Sequence, residues 1–292
     1  MNEIGPFPSL PVATSLGPIR LRVGDPEGVA AFYRRAIGLH DLPAADGRIQ
    51  LGTVAGEPLV ELVGDPSAPA RPPRSTGLFH LAILLPTRAD LAQAVHRVAG
   101  AGWGFSGAAD HLVSEALYLD DPEGNGIEIY RDRPREEWAR RDGELEMATL
   151  AIDLDGVLGA LPAGTPDEGV PDGTVMGHIH LQVRDIPEAE AFYSGVLGFD
   201  VMVRGYPGAL FVAAGGYHHH LGLNTWGTRD APAPPAGARG LDRFSVVLPS
   251  GADVDEVAAR LAAAGHEAVS ADDGLITADP SGNLFLIGIA AG

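Results

Sequence analysis

Four times along this chain a short stretch of alternating apolar residues is followed by apolar residues at helical period, and then by short apolar runs broken at Gly, Pro, Asn and Asp. In the first, Ile19, Leu21 and Val23 alternate with arginines, and Val29, Phe32, Tyr33 and Ile37 then recur at helical spacing up to Gly38. A glycine there can end the helix in the left-handed conformation. The run RIQLGTVAGEPLVELVG that follows reads as short strands. GLFHLAILL from Gly77, GHIHLQV from Gly177 and GLDRFSVVL from Gly240 open the other three segments in the same way. The pattern predicts an α+β protein of four βαβββ modules.

The modules are related in pairs. GPIRLRVGDPEGVAAFYRRAIGL from Gly17 aligns without gaps on GHIHLQVRDIPEAEAFYSGVLGF from Gly177. GLFHLAILLPTRADLAQAVHRVAGAG aligns on GLDRFSVVLPSGADVDEVAARLAAAG, and DPEGN from Asp121 on DPSGN from Asp279. The chain is a tandem duplication: an N-terminal module pair over residues 1–133, a charged and then Gly/Pro-rich connector over 134–175, and a C-terminal pair over 176–292. DPEGN and DPSGN read as turns between strands, and the Phe32–Tyr33 and Phe192–Tyr193 pairs as helix packing.

Alternation also says which side chains turn away from the core. Ile179, Leu181 and Val183 point inward, leaving His178, His180 and Gln182 opposite; Leu81 and Ile83 inward leave His80 and Ala82; Ile127 and Ile129 inward leave Glu128. Extending Leu221 and Leu223 backward places His219 on the core face and His218 and His220 opposite. His80, Glu128, His178 and His220 therefore share one kind of face.

Composition narrows the chemistry. A formal charge of -19, from 39 acidic and 20 basic residues, excludes a broad nucleic-acid-binding surface. With no cysteine there is no disulfide, thiolate nucleophile or sulfur-ligated metal, so a metal must be held by His, Asp or Glu. No apolar run approaches bilayer-spanning length, and MNEIGPFPSLPVATSL lacks the basic and apolar parts of a secretion signal, so the expectation is a cytoplasmic protein without a membrane partner. No P-loop, dinucleotide fingerprint or nucleophile elbow is present.

With GHIHLQV, GGYHHHLGLNTW, GLFHLAILLP and DHLVSEALYLDDPEGNGIEIYRDRP on four such modules, the chain resembles the two-domain catechol-2,3-dioxygenase-like branch of the vicinal oxygen chelate family from about Gly17 to Ile289. That resemblance implies two half-open barrels, with metal ligands on the first and last strands of modules. It implies a ligand set of His80, Glu128 and His178 for Fe(II), with Mn(II), Zn or Ni as alternatives, in a ring-cleaving enzyme acting on a catechol-like molecule with vicinal oxygens and on dioxygen. His220 becomes a fourth ligand, as in glyoxalase I, or a cavity acid/base, and His111 a second proton-transfer candidate. Module one has Pro18 and Glu61 at the ligand positions, with Arg20 and Arg22 nearby, and module four has Arg243 and Leu286; both look degenerate for metal. Pairing modules in chain order would split the ligand set between barrels. Pairing two with three, and one with four, would complete one site, and this is the arrangement expected. A glyoxalase-type isomerase or lyase and a non-catalytic small-molecule binding protein are the rival activities; a homo-oligomer is left open.

Overall fold

The computed structural model describes residues 7–44, 47–141 and 143–290. Residues 1–6, on which part of the secretion-signal reading rests, lie outside these. Among the described residues the strands form sheets of nine and eight members and a two-stranded ribbon. The two large sheets are curled, each a half-open barrel, and the expected βαβββ order is present four times.

Module one runs from strand Ile19–Val23 through helix Pro26–Phe32 to strands His40–Leu42, Ile49–Gly52 and Pro58–Gly64. Module two has Gly77–Leu84, helix Arg88–Gly100, then Gly107–Asp110, Ser114–Asp120 and Gly126–Asp132. Module three has Val175–Gln182, helix Ile186–Glu190, then Asp200–Val203, Ala209–Ala213 and Leu221–Asn224. Module four has Gly240–Leu248, helix Gly251–Ala263, then Ala268–Ala271, Gly274–Ala278 and Leu284–Ile289. In every module the last strand lies parallel to the first, which the intervening helix makes possible.

Each helix starts where a short polar side chain can accept a backbone N–H: Asp25 from Gly28, Thr87 from Asp90, Asp185 from Glu188 and Ser250 from Asp253. In modules one and three the helix widens into a π-helical turn, over Tyr33–Ile37 and Ala191–Leu197, and stops at Gly38 or Gly198 with φ of 87° or 97°. Ile19, Leu21, Leu81, Ile83, Ile179 and Leu181, which alternation turns inward, are all fully buried. DPEGN and DPSGN are the turns expected: the Asp121 and Asp279 carboxylates accept the N–H groups of Asn125 and Asn283.

Two compact units emerge, and each includes the strap that leads into the other half of the repeat. In the C-terminal unit, Leu10 N–H donates to Gly198 O at 2.8 Å, and Arg260 donates to Pro8 O and Leu197 O. In the N-terminal unit, Val170 N–H donates to Gly38 O at 2.9 Å, and Arg97 donates to Gly169 O and Ile37 O. Each arginine satisfies one carbonyl left open at a helix end, Leu197 O or Ile37 O, and one in the strap. Sequence reading missed both straps, and missed Glu115, a fully buried carboxylate bracketed by Arg88, Arg131 and Arg133. A buried charge so paired is structural.

Candidate metal centre

In module two, the parallel register sets Ala82 beside Glu128, so Glu128 stands one face-period beyond His80 and on the same face. The two side chains converge: Nε2 of His80 is 3.0 Å from Oε2 of Glu128, and the residues are 6% and 3% exposed. A carboxylate so far from water needs a positive partner or a metal ion to be tolerated. Across the next strand Tyr118 pairs with Glu128, and its ring lies 5.6 Å from that of His80.

His178 is 1% exposed on the first strand of module three. Its chain neighbour Gly177 packs so closely on module two that a Cβ there would overlap Tyr130 Oη and come 2.9 Å from Leu84 Cβ. His80, Glu128 and His178 each offer one ligand atom within 4.8 Å of the others. Two imidazoles and a carboxylate, all buried, suit a first-row divalent ion, and the donor set passes that chemical test without cysteine.

His111, half-buried, stands behind this face. Its Nδ1 is 2.7 Å from Ala148 O and its Nε2 is 2.6 Å from Tyr118 Oη. A carbonyl can only accept, so Nδ1 carries the proton, and in the neutral ring Nε2 accepts from the Tyr118 hydroxyl. Tyr118, which sequence reading passed over as a strand residue, thereby links His111 to the His80–Glu128 pair. Its position directly across from Glu128 was the available signal.

The histidine run of module three is arranged differently from the alternation reading. Regular strand begins only at Leu221, after a turn at Gly215 and Gly216 with φ of 61° and 68°, so facing cannot be extended backward through His218–His220. His219, assigned to the core, lies with its ring 4.2 Å from that of His178, and its Nδ1 is 2.8 Å from Nδ1 of His218. His220 instead accepts the Ala214 N–H at 3.2 Å and packs beside Tyr217 and Phe199. The register also separates His220 from the last-strand ligand position. His180 pairs with Gly222 as Ala82 pairs with Glu128, so the residue at the glutamate's level is Gly222, and His220 is level with His178.

The model of the Glyoxalase/Bleomycin resistance protein/Dioxygenase superfamily matches residues 15–129 and 175–287, once per half. A catechol-2,3-dioxygenase of Bacillus subtilis (strain 168) is 45% identical over 278 residues, covering 94% of this chain and 96% of the relative. Among solved structures, glyoxalase I from Zea mays superposes with a TM-score of 0.59 at 15% identity, over 95% of this chain and 92% of that one. The cppA protein of Streptococcus pneumoniae TIGR4 does so with a TM-score of 0.54 at 10% identity, over 98% and 99%. At such identities these structures speak for the fold alone. Sequence match over both halves, four βαβββ modules and two half-open barrels agree: this chain belongs to the Glyoxalase/Bleomycin resistance protein/Dioxygenase superfamily.

Proposed function

We propose that this protein is a metal-dependent extradiol dioxygenase that opens a catechol-like ring with dioxygen, using Fe(II) held by His80, Glu128 and His178. The observation that carries the reading is the buried convergence of these three side chains in a chain 45% identical to a catechol-2,3-dioxygenase. A facial set of two histidines and a carboxylate leaves coordination positions open. When bound, the ferrous ion would supply Lewis-acid and redox chemistry to a catecholate and dioxygen placed together. The reading also takes modules two and three as sharing one barrel and predicts one ion per chain.

The chain's own residues handle protons. Tyr118, beside His80, accepts a proton leaving the substrate as it passes its own to Nε2 of His111, and the Ala148 carbonyl holds the resulting imidazolium by its Nδ1–H. Burial of the triad keeps water from competing there. Gly222 at the level of Glu128 supports three protein ligands over the four of a glyoxalase-type site. The test is oxygen uptake with catechol after anaerobic loading with ferrous ion: uptake stoichiometric with ring opening is expected. Metal-loaded protein that consumes no oxygen with any catechol overturns the reading.

A further inference from the structure

Arg71 is a cation without a counter-charge. It stands in the segment between modules one and two, within the C-terminal compact unit. Its half-buried guanidinium makes two hydrogen bonds, Nη1 donating to Leu78 O at 2.6 Å and Nη2 to Gln182 Oε1. Both acceptors are neutral, and among the described residues no carboxylate pairs with it. Burial alone acts on its pKa, holding it below the ordinary arginine value. Arginines withdrawn from solvent elsewhere in the chain are neutralised: Arg97 by Asp167, Arg131 by Glu115 and Arg260 by Glu256. With 39 acidic residues against 20 basic, an acid for Arg71 was not scarce. A cation drawn out of water with neutral partners only is unfavourable until an anion joins it.

The surroundings hold the guanidinium in place. Gly77, at φ 139°, leaves its room, since a Cβ there would come 2.7 Å from Arg71 Nη1. Gln182 is fixed from its other end, where Nε2 donates to Trp226 O at 3.3 Å, so Oε1 is the atom turned to Arg71. A guanidinium has five N–H donors in one plane, and these two bonds leave others for the paired oxygens of a carboxylate. Gln182 ends the strand Val175–Gln182, on the face of His178 and His180. At a rise of about 3.3 Å per residue it lies about 13 Å along that face from His178. The cation therefore borders the face that carries a proposed metal ligand, further along it and not beside the ligand.

We infer that Arg71 is a carboxylate-binding site whose ligand is the open-chain acid produced by ring cleavage. The identity of that acid rests on the dioxygenase reading; the anion site follows from Arg71 itself. Extradiol opening breaks the C–C bond next to the diol. The hydroxyl-bearing carbon becomes a carboxylic acid and its neighbour an aldehyde, each gaining one oxygen atom, with dioxygen as the oxidant and both its atoms retained. The acid then loses a proton. Catechol is neutral at pH 7 and the product is an anion, so a cation without a counter-charge separates the two: Arg71 retains product and leaves the affinity for catechol untouched.

The experiment uses 2,4-hexadienoate, a stable unsaturated six-carbon carboxylate, beside its neutral amide. Calorimetry on the ferrous protein without oxygen gives both affinities, and oxygen uptake gives the KM for catechol and the inhibition constant of the acid. The unchanged protein is expected to bind the acid about tenfold or more tightly than the amide, as charge-assisted hydrogen bonds do. Arg71→Met should reduce that ratio to below twofold and raise the inhibition constant at least fivefold, with the KM for catechol within twofold; Arg71→Lys should keep part of the ratio. Equal affinity for acid and amide in the unchanged protein overturns the inference. So does a preference that survives Arg71→Met, which would mean that the acid binds the metal. If no catechol consumes oxygen, the dioxygenase reading fails, and the acid-to-amide ratio still decides whether Arg71 receives a carboxylate.

Discussion

Glu128 of module two and Glu61 of module one occupy the same position in two copies of one motif. Glu128 lies between Ala82 and Tyr118 across the sheet; Glu61 lies between Arg20 and Gln50. Arg20 reaches Glu61 through two nitrogens at 2.6 Å, with Arg48 at 3.6 Å and the Gln50 amide at 3.3 Å. Module one thus supplies the carboxylate with cations attached to its own chain. In module two the residue in Arg20's place is Ala82, too short to neutralise anything, and Glu128 meets His80 at 3.0 Å. A carboxylate out of water demands positive charge, and the two modules meet the demand differently. One duplication yielded an arginine–glutamate pair in module one and a buried histidine–glutamate pair in module two.

The comparison breaks most severely if module two needs no metal. Changing Glu128→Gln or His178→Ala is expected to drop bound metal from about one ion per chain to below a tenth and to cut oxygen uptake by about 1000-fold or more, since loss of even a supporting residue costs 10–100-fold. Metal analysis of protein purified without chelators checks it, and an ion retained by both variants would end the argument. Next in size, Tyr118→Phe and His111→Phe should each lower kcat by about 100- to 10,000-fold while metal content stays unchanged. Equal loss of metal would make these residues supports of the centre.

Module one offers the converse. Arg20→Ala leaves Glu61 poorly paired and is expected to cost about 1–3 kcal/mol in denaturant unfolding without altering metal content. An additional ion in that variant would show that the guanidinium stands where a metal could. The smallest effect concerns the straps. The Asp167 carboxyl is raised by burial and lowered more by its hydrogen bonds to Arg97, ending below its ordinary value. A depressed carboxylate stabilises the fold above its unfolded pKa, and that contribution is lost as pH falls through the folded value. Asp167→Asn should therefore cost about 1 kcal/mol or less at pH 7, and the difference should close as unfolding is measured toward pH 3. Arg260, whose strap partner is the Pro8 carbonyl and whose carboxylate partner Glu256 lies on its own helix, should show no such dependence at the strap contact.

What local pattern can express, the chain expressed well. Four modules, their helix caps and turns, and the facing of His80, Glu128 and His178 all follow from periodicities of two and 3.6, which depend on neighbours a few residues away. The same reasoning misplaced His219 and His220, because facing cannot be counted through a turn at Gly215 and Gly216, while His218 does lie against His178 as expected. It also missed the placement of Tyr118, which pairs across the sheet with Glu128 and hydrogen-bonds to His111, itself braced by the connector carbonyl of Ala148. Sequence by itself determined the motif, its duplication and the residue types that could bind a metal. Tertiary structure decided which glutamate meets a histidine and which meets an arginine, and that the level of Glu128 holds a glycine in module three. Register and long-range packing set these outcomes, and neither is written in any short stretch of the chain.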